Sequence, residues 1–245
     1  MVGPKVVGRM ILLTFDTDHV REVDLARFLS DFPLPGRGTF FVDRRYPNID
    51  FGEHEVGLHP VLSDRDDWKV KLSGLLAETP RAGQVIRPHS CTYSHMLGIM
   101  LTELGVRAIS QATPLFTRGL RPYRHPWGLW ELPIYYMDSM DMTFPHNWPS
   151  LSHAPFQTDV IKASTNDDAL YVYDFHPMHL MLNTPSFAHY QAVKPRVLAG
   201  ESPTNLAAKG RGARWFYEEL IKEMNRTRMT STGCRAAIPT AGFGA

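Results

Sequence analysis

The chain has 245 residues, with 26 Lys and Arg against 25 Asp and Glu and a formal net charge of +1. That balance gives no ground for binding nucleic acid or an anionic membrane surface through bulk charge. The length and the 43% hydrophobic share fit one large α/β barrel better than two small domains.

Cys91 and Cys234 are the only cysteines, too few for a disulfide framework or a thiolate cluster, so a metal would rely on the 11 histidines and the carboxylates. Residues 1–10 include Gly3, Pro4, Lys5 and Arg9 and do not read as a secretion signal. No stretch reaches the roughly 20 apolar residues of a membrane span. A soluble cytoplasmic protein is expected.

Residues 6–15 read as a buried strand ending in Asp16-Thr17-Asp18-His19. Residues 20–32 place Val23, Leu25, Phe28 and Leu29 at helical spacing, and Pro33-Leu34-Pro35-Gly36 stops them. Residues 38–42 read as a second strand and 55–58 as a third, ending at His59-Pro60. A helix over 64–78 and a strand over 84–87, ending at Pro88-His89, come next. The helix predicted over 93–104 is closed by Gly105. Strands follow over 106–110 and 129–137, the second leading to Asp138. Residues 171–175 form a last strand ending at His176-Pro177, and 215–224 a late amphipathic helix. The tail, 227–245, is rich in Thr, Gly and Ala and is expected to be loosely ordered, which leaves 1–226 as one catalytic domain. The alternation of strand, polar tip and helix predicts parallel βα units, with the polar tips gathered at the strand C-termini, where a closed barrel carries its active site.

Five tips carry candidate chemistry. Asp16 and Asp18, two apart after a strand, can share one pocket, one binding a metal and the other taking a proton. The same pair also suits a solvated turn in which Asp18 caps the next helix. His59 is a metal ligand or a structural histidine. Arg87 and His89 share a strand face if the strand runs on to Ser90. Arg87 beside Asp16 would then hold that carboxylate ionised and His89 would complete a metal shell, the alternative being a structural salt bridge and a surface loop. The Trp130-Glu131 and Tyr135-to-Asp141 segment offers aromatics and carboxylates suited to a sugar, or simply a core strand with a polar end. His176 can protonate a leaving amine, bind metal or cap a helix, and His179 can pack.

Taken in order, these tips resemble the polysaccharide deacetylases, the fourth carbohydrate esterase family, from Leu12 to about Asn183. Thr14-Phe15-Asp16-Thr17-Asp18 is similar to the family's Thr-Phe-Asp-Asp-Gly motif with one residue inserted. Glu55-Val56-Gly57-Leu58-His59 is similar to the approach to its His-x-x-x-His pair, Arg87-Pro88 to its Arg-Pro motif, and Phe175-His176 to its late strand ending in His. The run from Phe175 to His179, with Leu182-Asn183, resembles a bacterial subgroup associated with surface-polysaccharide and O-antigen synthesis.

The resemblance implies a distorted (β/α) barrel of about seven parallel strands and a hydrolase that removes an N-acyl, most simply N-acetyl, group from a sugar or sugar-like amide. It implies Asp16 as base, Arg87 orienting that base, His176 as acid and Asp138 or Asp141 tuning the acid. It also implies a divalent metal on Asp18 and His59. With His89 as third ligand the donor set has two nitrogens and one oxygen and suits zinc. Asp64, Asp67 and His54 are the alternatives for that third place.

The chain departs from the pattern at three points. Ser63 stands where the second His of the pair belongs, His19 where the first motif closes on Gly, and His89-Ser90 where an aromatic and Gly should follow Arg-Pro. Three other readings stay open: an amidase acting on a small-molecule or natural-product amide, a haloacid-dehalogenase-type phosphatase with Asp16 as nucleophile, and a sugar-binding pseudoenzyme.

Overall fold

The protein is described here from a computed structural model, which covers residues 9–63, 67–79, 84–143, 154–164 and 167–239. The strands are β1 (Met10–Asp16), β2 (Gly38–Val42), β3 (Glu55–Leu58), β4 (Val85–Ile86), β5 (Ala108–Ile109), β6 (Tyr123–Arg124), β7 (Trp130–Glu131), β8 (Ile134–Met137) and β9 (Leu170–Phe175). The α-helices are α1 (Glu22–Asp31), α2 (Trp68–Glu78), α3 (His95–Glu103), α4 (Asp138–Thr143), α5 (Asp159–Ser164), α6 (Pro177–Leu182), α7 (Phe187–Leu198), α8 (Ala213–Arg226) and α9 (Cys234–Ala237).

The strand order is β6-β7-β5-β4-β3-β2-β1-β9-β8, parallel throughout except for the β6–β7 hairpin. Residues 129–137, expected as one strand, are two. Pro133, which has no N–H to give to a ladder, separates β7 from β8. β7 pairs with β5 and β8 with β9, towards opposite ends of the order, so this short segment curls the sheet into a distorted (β/α) barrel. Ile134 N donates to Ala112 O at 2.8 Å across the join.

Alternation along the strands decides what faces the lumen. Ile11, Leu13 and Phe15 of β1 pack outward in one core with helix residues such as Leu25, Phe28 and Phe216. Leu12 joins Phe41, Val85, Ala108, Ile134 and Val172 in a second, interior core. Gly57 belongs to this interior, where a Cβ would stand 2.6 Å from the Phe41 ring. Continuing the same parity to the strand ends puts Asp16, His59, Arg87, Asp174 and His176 on the lumen side.

The opposite end is closed by part of the segment expected to be loosely ordered. Ser231 bridges to Ile11 and Gly36, and Cys234 N donates to Thr39 Oγ1 at 3.0 Å. Arg235 N donates to the Glu55 carboxylate, and Cys234, Ala237 and Ile238 pack into the interior core. Residues 240–245 lie outside the described residues.

Candidate active site

Arg87 sits at the centre of the lumen, fully buried. Its Nη1 donates to Asp16 Oδ1 at 2.9 Å, to Thr14 Oγ1 at 3.0 Å and to Asp174 Oδ1. Nε and Nη2 donate to Ser110 O and Oγ at 3.0 and 2.9 Å, and the guanidinium lies 4.3 Å over the Phe41 ring. Burial works against the guanidinium charge, but Asp16 and Asp174 outweigh it and raise the pKa. Asp174 is also fully buried. Burial and the nearby Asp16 charge outweigh Arg87 and push its carboxyl up to about 8.

Three side chains meet beside Asp16. Asp18 Oδ2 lies 3.0 Å from His59 Nε2, Asp18 Oδ1 lies 3.0 Å from His89 Nδ1, and the two ring nitrogens are 3.3 Å apart. Asp18 stays ionised: burial opposes this, but the bonds to His59 and His89 hold its pKa well below the usual carboxylate range. His59 Nδ1–H donates to Arg87 O at 2.8 Å, so a neutral His59 presents a lone pair from Nε2 to the Asp18 carboxylate. Two acceptors that close repel unless positive charge lies between them. Burial again opposes a protonated His59, but Asp16 and Asp18 raise its pKa overall. Either a proton or a cation therefore answers the charge of the triad. Ligands about 2.0–2.1 Å from a tetrahedral ion lie about 3.3 Å from one another, and two imidazoles with one carboxylate suit zinc, so this group fits a metal.

On the other side of Asp18, His176 Nδ1 donates to Asp138 Oδ1 at 2.7 Å and the His176 backbone N–H donates to Asp138 Oδ2 at 2.9 Å. Burial disfavours the His176 cation, yet Asp138 outweighs it and raises the ring's pKa to about 10. His176 Nε2 is 3.8 Å from Asp18 Oδ2. The His179 ring lies beside it, tilted by 34°, at 4.7 Å between centroids. Asp16, Asp18, His59, His89 and His176 open together into a cleft of about 580 Å³.

The structure thus brings Asp16, Arg87, Asp18, His59, His89, Asp138 and His176 to one place. It separates the alternatives. Asp141 accepts from Tyr136 Oη and Phe156 N rather than from His176. His54 Nδ1 accepts from Gly38 N, Asp67 precedes α2 and pairs with Lys71, and Asp64 lies outside the described residues. Ser63 is exposed, and His89, from the turn after β4, stands beside His59 in the triad. Sequence reasoning missed Asp174. Its only signal was a carboxylate inside an otherwise apolar strand, two residues before His176.

The family model for WbmS-like polysaccharide deacetylases matches residues 13–194. Among solved structures, a Bordetella bronchiseptica protein described as a candidate polysaccharide deacetylase involved in O-antigen biosynthesis is 20% identical, with 88% of this chain and 91% of that chain covered and a TM-score of 0.71. The 4-alpha-glucanotransferase of Thermococcus litoralis is 12% identical over 95% of this chain and 40% of that one, with a TM-score of 0.54. The chitin deacetylase of Colletotrichum lindemuthianum is 15% identical over 97% and 90%, with a TM-score of 0.48. No curated protein matches the chain. No helix of the described residues is long and apolar enough to cross a membrane. The family match sets aside the haloacid-dehalogenase-type phosphatase. The chain belongs to the WbmS-like family of polysaccharide deacetylases, a family of metal-dependent enzymes that hydrolyse amide bonds on sugars.

Proposed function

We propose that this protein removes an N-acyl group, N-acetyl in the simplest case, from a sugar amide. The observation that carries the reading is the convergence of the Asp18, His59 and His89 ligand atoms, all within 4.8 Å of one another, between Asp16 on one side and the His176–Asp138 pair on the other.

Asp18, His59 and His89 would hold zinc, which when bound supplies Lewis acidity toward water and the amide carbonyl. Asp16 takes the proton of the attacking water. Its charge is held by Arg87, whose rigid fork is anchored on Ser110 and cannot turn away. His176 gives a proton from Nε2 to the departing nitrogen. Asp138 keeps the ring charged and fixes its direction through two hydrogen bonds.

The test is release of acetate from N-acetylated sugars by the zinc-loaded protein. Acetate release by the wild type, lost in Asp16→Asn and His176→Gln, supports the reading. Sugar binding without acetate release would favour a pseudoenzyme.

A further inference from the structure

Phe187, Tyr190, Gln191 and Lys194 of α7 all line the catalytic cleft. Their spacing of three, four and seven residues makes one stripe along the helix. Of this stripe only Tyr190 is buried: Phe187 is 43% exposed, Gln191 is exposed and Lys194 is half-buried. The Lys194 ammonium lies 5.4 Å from the centre of the Tyr190 ring. Among the described residues it forms no ion pair, and the cleft's Asp16 and Asp18 are already engaged by Arg87 and by His59 and His89.

The position of Lys194 relative to the chemistry follows from two ring contacts. Tyr190 meets the His179 ring edge-on at 4.7 Å, and His179 in turn packs against His176 with the rings tilted. Lys194 is one helical turn beyond Tyr190, about 6 Å along the axis. That is the span of one sugar ring.

His19 lines the same cleft. Its φ of 58° is left-handed, a conformation that a residue with a Cβ adopts at a cost. Lys194 lines that cleft as well, so the two side chains face one space. The first motif resembles one that closes on glycine, which would meet this φ without strain.

We infer that Lys194, with His19 lining the same cleft, binds an anionic substituent, a carboxylate or a phosphate, on the acylated sugar, and that the enzyme selects charged sugars over neutral ones. The Phe187 ring, on the same stripe, offers an apolar surface to the C–H face of the sugar. This inference rests on the deacetylase reading and narrows its substrate class.

The experiment compares three ligands on the full, zinc-loaded protein: a neutral N-acetylhexosamine methyl glycoside, its uronate counterpart and N-acetylhexosamine 1-phosphate. Binding is followed by calorimetry and turnover by acetate release. A charge-assisted contact predicts that one anionic ligand binds about tenfold or more tightly than the neutral one. That advantage falls to within about twofold in Lys194→Gln, persists in Lys194→Arg and shrinks as salt is raised. The favoured anion distinguishes carboxylate from phosphate. Equal binding of all three, absence of binding, or an advantage that survives Lys194→Gln overturns the inference. Charge-selective binding without acetate release from any of the three counts against the deacetylase reading and leaves the charge selection standing.

Discussion

Asp138 holds His176 at two points, accepting from the ring Nδ1–H at 2.7 Å and from the backbone N–H of the same residue at 2.9 Å. One carboxylate therefore fixes both the direction of the imidazole and its charge. The arrangement exists because β8 and β9 are parallel neighbours that end together, with Asp138 opening α4 and His176 preceding Pro177 of α6.

Replacing Asp138 with Asn removes the charge and keeps the shape. The His176 ring, raised to about 10 in the native protein, then falls toward its ordinary value near ~6.5. An acid works only while protonated, so the alkaline limb of kcat/KM should move to lower pH. At pH 8 only about 3% of the rings would then be protonated, so kcat should fall by about thirtyfold. A pH–rate profile of D138N that overlays the wild type would contradict the pairing.

Asp16→Asn keeps an acceptor for Arg87 and removes the base. We expect kcat to drop by about 10²–10⁴ with KM little changed. Steady-state kinetics on an acetylated sugar checks this, and a variant with more than about a third of wild-type kcat would exclude Asp16 as base.

Asp174 gives a stability prediction. Its folded pKa is raised to about 8, above the ordinary carboxylate value, so the folded protein holds a proton there that the unfolded chain has lost. Native stability from this group is therefore lost as pH rises from about 4 to about 8, and the loss levels off above that. Asp174→Asn does not titrate, so the stability of the variant relative to wild type should improve steadily over that range. Urea denaturation at several pH values measures the difference, and a difference flat with pH would contradict the assignment.

Arg87→Met should cost about 3–5 kcal/mol in urea denaturation, because it leaves Asp16 and Asp174 buried without their partner. A loss below about 1 kcal/mol would mean that the two carboxyls do not depend on Arg87.

Much of this was legible in the sequence where strands are continuous apolar runs. Residues 38–42 and 55–58 match β2 and β3, and the tips at Asp16, His59, Arg87 and His176 fall where strand parity directs side chains inward. The rest depended on contacts that no local pattern encodes. Pro133 does not end the apolar run of residues 129–137 but lets its halves pair with distant strands. α7 was missed because its cleft-facing stripe mixes Phe, Tyr, Gln and Lys and Pro195 lies within it. Asp174 was passed over because a charge inside a strand is explained only by its partner, and Arg87 is 87 residues away. Residues 231–238 have a loop-like composition, yet they pack because the barrel end offers Thr39 and Glu55 as partners.

The proposed chemistry requires one metal ion shared by Asp18, His59 and His89. The most direct test is zinc content per chain after loading and desalting, for the wild type and for Asp18→Ala, His59→Ala and His89→Ala. We expect about one ion per wild-type chain and a large loss in each variant, because removing one of three protein ligands breaks the tetrahedral set. Zinc content unchanged in all three variants would place the ion elsewhere and remove Asp18, His59 and His89 as its ligands.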